Sequence, residues 1–313
     1  MFFKSFYLFI FFSFLIHYFI IRLNKNNKLF NLRVCVCTLG KEENRYIAEF
    51  VEHYKNYGVD KIYLYDNNDI NGERYDKVIR KYIRNKFVEV IDWRGVKGTS
   101  TYYGILNSCY KAFHDQYDWL IFYEIDEFLF LKNYTNVKEY LLSPNFNNCE
   151  SIQLNWVHMS DNNHIFYTNK PLKERFPTRG KNVVKNRYNK ICFVKTMVRG
   201  HLKKKIEINQ NHLISSKLKS CDGFGNKGRK KIIKALNPDY EFNYIMHYYT
   251  KSLQEFVEKI NRGDLLRGNS KEIIEWAVEK FFYINQITEE KIRYIQNKLG
   301  SKYKLNLSKY WKN

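Results

Sequence analysis

The densest chemistry in the chain lies at Glu124-Ile125-Asp126-Glu127, entered from the apolar run at 119–123 and left through Phe128-Leu129-Phe130-Leu131. In an extended backbone side chains alternate, so Glu124 and Asp126 share one face, about 7 Å apart, while Glu127 turns away. Two carboxylates side by side at the end of a buried strand repel each other and require a cation. Hard oxygen ligands favour Mg²⁺ or Mn²⁺. The apolar runs on both sides argue against a merely exposed acidic edge. Aspartic-protease chemistry would need a second, matching Asp-bearing lobe, which the chain lacks.

Other polar residues close apolar runs in the same manner. The run at 32–38 ends in Thr38 and continues through Gly40, Lys41, Glu42 and Glu43; the run at 61–65 ends in Asp66-Asn67-Asn68-Asp69; the run at 88–92 ends in Asp92 before Trp93-Arg94. An Asp in such a place accepts hydrogen bonds from a ribose hydroxyl or a base N–H, although Asp69 taken alone reads equally well as a turn cap. No GxGxxG follows the first run and no GxxxxGK[ST] occurs, which disfavours a dinucleotide fold and a P-loop.

These residues need a framework, and the intervening segments supply one. Between 41 and 58, Tyr46, Ile47, Phe50, Val51, Tyr54 and Tyr57 fall on one helical face, with Gly58 as the C-cap. Further helices are expected over 75–84 and 102–116. Strand and helix alternate as βαβαβ, which predicts an α/β fold around a mostly parallel sheet. Ligands of such sheets bind beyond the carboxyl ends of the strands. After Gly263 the pattern is helical, with Ile273, Ile274, Ala277, Val278 and Phe281 on one face and Ile292, Ile295 and Leu299 on another. No chemistry is evident there, and the segment reads as packing scaffold.

The chain has 313 residues and a formal charge of +21, from 53 Lys and Arg against 32 Asp and Glu. So basic a protein attracts polyanions. The excess is spread along the chain, however, and its densest stretches, 203–205 and 227–231, match no base-reading module, so specific nucleic-acid binding is not expected. Six cysteines without a CxxC pair or a Cys/His cluster argue against structural zinc. Cys35 and Cys37 read as small apolar residues of a buried strand, and one disulfide among Cys149, Cys192 and Cys221 is compatible with an oxidising compartment. Residues 6–21 carry no charged side chain and are followed by no small-residue cleavage site, which predicts an uncleaved single-pass membrane anchor over 1–23. The basic residues after it favour a cytosolic domain and a Golgi-type anchor would favour the lumen, so the side stays open. A linker over 24–31, a main domain over 32–265 and a helical extension over 266–313 complete the expected organisation.

In order and spacing, several strings resemble glycosyltransferase family 92 and the related family-2-like GT-A enzymes. They are Val34 through Asn44 with Ile47, Glu52, His53 and Tyr54; IYLYDNND at 62–69; DWLIFYEIDEFL at 118–129; LNWVHMSDNN at 154–163; KERF at 173–176; and MHYYTKS at 246–252. The resemblance covers about residues 32–265. It implies a GT-A fold, Rossmann-like, and transfer of a hexose, often galactose, from a UDP-sugar to a glycan or glycoconjugate acceptor with inversion at the anomeric carbon. The family's Asp-x-Asp stands here as Glu124-Ile125-Asp126, which would hold Mn²⁺ or Mg²⁺ across the diphosphate. His247 matches a late His that completes the metal or diphosphate site. Lys251, four residues on, would share its helical face and reach a phosphate oxygen. Thr38, Glu43, Asp66 and Asp92 would line the nucleotide.

Inversion requires a base for the acceptor hydroxyl. Asp161 ranks first, then Asp222, then Glu174, and each alone also reads as a loop carboxylate. Trp156 and His158 are candidates to stack on and hold a sugar, and Arg175 and Arg179 to approach the diphosphate. The competing classes are a non-catalytic, basic, membrane-associated binding protein and a metal-dependent phosphoryl-transfer enzyme. Neither accounts for the whole ordered set of strand-end residues.

Overall fold

A computed structural model describes residues 31–96, 99–181, 184–186, 189–191, 193–203, 206–208, 218–227, 239–263 and 270–311. The chain builds one large mixed α/β sheet. Strands β1 (Val34–Gly40), β2 (Lys61–Asp66), β3 (Val88–Asp92) and β4 (Trp119–Phe122) are followed by β5 (Glu127–Leu131) and β6 (Ser151–His158). After the small β7–β8 hairpin (Val184–Asn186 and Asn189–Ile191) come β9 (Val194–Arg199), β10 (Ser220–Asp222) and β11 (Asn243–His247). The order across the sheet is β3-β2-β1-β4-β9-β6-β11-β5, with β10 beside β6. Five of its ladders are parallel, β1–β2, β2–β3, β1–β4, β6–β10 and β6–β11. The other three, β4–β9, β6–β9 and β5–β11, are antiparallel. The mostly parallel sheet expected from the βαβαβ pattern is therefore present.

Alternation within strands sorts side chains into two cores. Val34 and Val36 of β1, Ile62 and Leu64 of β2, and Trp119 and Ile121 of β4 point to one side, where they meet Ile47, Phe50, Val51 and Tyr54 of helix α1 (Ile47–Asn56). Cys35, Cys37, Tyr63, Tyr65, Leu120 and Phe122 point to the other, against helix α2 (Thr99–Phe113). A sheet covered on both faces is what nearly continuous apolar strands require. Gly58 has φ +79°, the left-handed conformation expected just past α1. The helix expected over 75–84 is broken at Ile79 into Tyr75–Val78 and Arg80–Arg84.

Strand β5 lies at the sheet margin, and α1 covers its open side. Tyr54 Oη donates to the Glu127 carbonyl at 2.9 Å and accepts from the Leu129 amide at 3.2 Å, while the His53 ring meets the Leu129 carbonyl at 3.0 Å. Backbone groups that a neighbouring strand would have satisfied are thereby paired.

The helical carboxyl-terminal region forms a third core shared by helices α3 (Leu253–Arg262), α4 (Lys271–Ile284) and α5 (Glu289–Ile295). Leu253 and Phe256 pack with Ala277, Phe281, Ile292 and Ile295. This core runs across the boundary expected at 265/266, so the extension packs continuously with the preceding helix.

Two expectations are corrected. Cys37 is not a free apolar residue: it is bonded to Cys109 of α2, and Cys149 is bonded to Cys221, which leaves Cys35 as a free, buried thiol. Cys192 lies outside the described residues. Nor is a single-pass membrane protein supported: among the described residues no helix is long and apolar enough to cross a membrane. The anchor expected at 1–23 lies outside the described residues, and the assignment is withdrawn.

Candidate active site

Register places the functional groups along one edge of the sheet. Gly40, Asp66 and Asp92 are aligned at the carboxyl ends of β1, β2 and β3. On the far half, His247 at the end of β11 is in register with His158 at the end of β6 and with Glu127 at the start of β5. Between β4 and β5 the chain does not stay extended. The Glu127 amide donates to the Glu124 carbonyl at 3.0 Å, closing a tight turn. Ile125, inside this turn, reaches back over Gly40, where a β-carbon would overlap Ile125 Cδ1 and the Tyr75 hydroxyl.

That turn corrects the expected ligand set. Because the backbone reverses, Glu124 and Asp126 are not stacked on one extended face, and Glu127 swings inward. Asp126, Glu127 and His247, all buried, each offer one ligand atom within 4.8 Å of the others. Glu124 is instead partly exposed and ion-paired with Lys195, Oε1 to Nζ at 2.5 Å. Lys195 also stands 3.1 Å from Glu127 Oε1, and Glu127 Oε2 accepts from the Glu124 amide at 3.0 Å. Asp126 Oδ2 accepts from Lys259 Nζ at 2.9 Å, and Oδ1 lies 3.6 Å from His247 Nε2.

Burial and charge set the protonation states. Burial pushes the Asp126 carboxyl up, but Lys259, His247 and Lys251 more than offset it and hold it well below the usual range. Burial raises Glu127 to about 8 against the pull of Lys195. The His247 ring is lowered to about 4 by burial, against the pull of Asp126, and burial also holds His158 neutral. Asp126 Oδ1 and His247 Nδ1 are buried without a hydrogen-bond partner among the described residues, and the buried Glu127 Oε1 has the Lys195 ammonium beside it. Two unsatisfied ligand atoms with a third carboxylate at this spacing fit a divalent cation, which would satisfy them together.

The surroundings are cationic and aromatic. Lys280 lies 3.7 Å from the centre of the Tyr249 ring, and Lys259 lies 4.6 Å from the same ring. The Trp156 ring is 4.4 Å from that of His247, and the His158 ring 5.1 Å, so the expected sugar-holding pair adjoins the cluster.

Most of the remaining candidates are engaged elsewhere. Asp161, fully buried, is ion-paired with Lys291 of α5 at 2.6 Å. Asp222 caps its own loop, accepting from the Phe224 and Asn226 amides at 2.9 Å each. Asp161 is closed to an acceptor hydroxyl, whereas Asp222 is exposed, and Glu174 is exposed on a short helix at Leu172–Arg175. Asp66 binds Arg94 at 2.8 Å and Asn68 Nδ2 at 2.7 Å, and Asp92 accepts from the Arg94 amide at 3.0 Å. Glu43 is bound by Arg262 at 2.7 Å and by Lys251 at 3.3 Å. The Thr38 hydroxyl is buried with no partner among the described residues. Lys251 does not share a helical face with His247, because β11 ends at His247 and Lys251 sits in the following loop at φ +52°. Arg175 is buried and locked to Glu255, while Arg179 is exposed and donates to the Tyr244 hydroxyl at 3.0 Å.

Sequence reasoning missed Glu127, Lys195, Lys259 and Lys280. Two signals were available: a lysine alternating with Val and Met in the VKTMV strand, and Ser252-x-x-Glu255, a capping box that fixes the start of α3.

The sequence profile of glycosyltransferase family 92 matches residues 30–302. A family 92 protein of Ricinus communis is 28% identical over 107 residues, which is 34% of this chain and 18% of that protein, so the match spans under a fifth of the relative. Among solved structures, S. aureus TarS in complex with UDP is 12% identical, with a TM-score of 0.38 over 89% of this chain and 77% of that one. The mannosyltransferase PcManGT of Pyrobaculum calidifontis, in complex with GDP-Man and Mn²⁺, is 11% identical, with a TM-score of 0.29 over 39% of this chain and 35% of that one. These two likenesses carry nothing about the ligands of this chain. The family profile runs from before β1 to beyond α5, and the chain belongs to glycosyltransferase family 92.

Proposed function

We propose that the protein is a metal-dependent glycosyltransferase of GT-A type that moves a hexose from a UDP-sugar, with galactose the first to test, to a hydroxyl of a glycan acceptor with inversion. The observation that carries this reading is the buried set Asp126, Glu127 and His247, with ligand atoms within 4.8 Å, at the carboxyl edge of a mostly parallel sheet. These three residues would hold Mn²⁺ or Mg²⁺, which when bound neutralises charge developing on the diphosphate as the nucleotide leaves. Lys195, Lys259 and Lys280 add positive charge around the same place. Trp156 offers a face for the apolar side of a sugar ring. Asp161 is sealed from solvent and Asp222 is tied into its own loop, so Glu124, partly exposed beside the metal cluster and ion-paired with Lys195, is the carboxylate proposed to take the acceptor proton. Thr38, Glu43, Asp66, Asp92 and Lys251 would lie on the nucleotide side.

The test is nucleoside diphosphate release by the full chain with Mn²⁺ and a panel of UDP- and GDP-sugars, with and without glycan acceptors. Release from one donor, abolished by a chelator and by Asp126→Ala, supports the reading. A folded protein that consumes no donor with any acceptor overturns it.

A further inference from the structure

Lys259 occupies the side chain that a metal ion would need. Its ammonium lies 2.9 Å from Asp126 Oδ2, with Asp126 only 4% exposed and Lys259 25% exposed at the side chain. A buried carboxylate without a counter-charge is strongly disfavoured, so some cation must stand there in the free protein. Three anchors fix where Lys259 comes from. Ser252 and Glu255 close a capping box at the start of α3, Arg175 grips Glu255 one turn before Lys259, and Arg262, three residues after it, grips Glu43. Residues three and four apart lie on one helical face, so this face is pinned on both sides of Lys259. The helix is held while the partly exposed side chain, with four rotatable bonds, can move.

A divalent ion ligated by Asp126 and an ammonium hydrogen-bonded to the same carboxylate would stand within a few ångströms of each other and repel. The metal alone offers the displaced ammonium no new partner. A diphosphate would offer both oxygens for the ion and negative charge for the released lysine.

We propose that Lys259 is a resident counter-cation, which neutralises Asp126 in the free protein and is displaced when a divalent ion arrives with the donor diphosphate, coupling metal binding to nucleotide binding. The inference rests on the metal-dependent reading above. It makes Lys259 a positioning residue that keeps the metal site closed until the donor is present.

The test is Mn²⁺ binding to the full chain, followed by electron paramagnetic resonance, with and without UDP. Wild type is expected to bind Mn²⁺ weakly alone and about tenfold or more tightly with UDP, within the usual range of coupling. Lys259→Met is expected to bind Mn²⁺ alone about tenfold more tightly than wild type and to lose most of the UDP effect, while Lys259→Arg keeps wild-type behaviour. Circular dichroism checks that each variant is folded. Mn²⁺ binding that Asp126→Ala abolishes but Lys259→Met leaves unchanged or weakens overturns the proposal and spares the metal site. No Asp126-dependent Mn²⁺ or Mg²⁺ binding in any variant overturns both.

Discussion

Arg175 and Glu255 meet as a fork, Nη1 to Oε2 at 2.6 Å and Nη2 to Oε1 at 3.1 Å, with both side chains almost sealed from solvent. Glu255 also accepts from the Ser252 amide at 3.0 Å and from the Tyr46 hydroxyl, so one carboxylate ties α1, the Leu172–Arg175 helix and α3 together. Removing one member of such a pair strands a buried charge. Arg175→Met should destabilise the fold by about 3–5 kcal/mol, measured by urea unfolding. A loss under about 1 kcal/mol would show that the fork contributes little.

The buried pair of Asp161 and Lys291 separates two roles for Asp161. As a structural partner, Asp161→Ala should cost about 3–5 kcal/mol of stability, and Asp161→Ala/Lys291→Met should recover much of it. Were Asp161 the catalytic base, Asp161→Asn would abolish turnover with stability unchanged. Joint measurement of melting and kcat decides.

Glu127 is pushed up to about 8 by burial, so in the free protein it holds a proton at neutral pH. A metal ion takes only the ionised carboxylate, and binding must release that proton. Mn²⁺ affinity should therefore rise as the pH goes from 6 to 8, approaching about tenfold per unit, and level off above. Glu127→Gln should flatten this dependence and weaken binding by about tenfold or more; calorimetry in buffers of different ionisation heat would count the proton.

His53 gives a pH dependence of stability away from the site. Its ring is lowered to about 3, by burial first and then by Lys173, against about 6.5 in an unfolded chain. Below 6.5 the unfolded chain binds a proton that the folded one refuses. Stability is thus intact above 6.5 and falls as the pH drops toward 3, by roughly 3–5 kcal/mol in all. His53→Gln should make the acid limb of a stability-against-pH curve shallower, and an unchanged limb would reject the assignment.

Each disulfide closes a separation of 72 residues. Chain-entropy reasoning gives about 4 kcal/mol for a loop of that length. Cys149→Ser/Cys221→Ser should lower the melting temperature measurably in calorimetry, and reductant should then lower it further through the bond between Cys37 and Cys109. A melting curve indifferent to reductant would mean that neither bond forms.

Much of the framework was legible because periodicity reports burial directly. β3 falls at 88–92 as read, β1 and β2 end within two residues of expectation, and α1 lies inside 41–58 with Gly58 just past its end. The site was legible only in part. Asp126 and His247 were recognisable from their strings, but which carboxylate joins them depends on whether 124–127 is extended or turned. Alternation along a strand cannot foresee a reversal set by the hydrogen bond from the Glu127 amide to the Glu124 carbonyl. Lys195 and Lys259 were harder still: they reach the carboxylates through strand order and through the packing of α3, neither of which is written in local spacing. The pairing of Asp161 was out of reach for the same reason, since its partner Lys291 lies 130 residues further along the chain.

The two cross-links have a consequence for how the protein is made. Cys37 sits on the strand that ends beside the site, and Cys109 on the helix covering its far face, so oxidation of the two thiols pins that helix to the strand. Glutathione and thioredoxin keep such pairs open in an ordinary cytosol. Production in a host with a reducing interior would leave both pairs as thiols, at a loss of about 4 kcal/mol for each loop of this length.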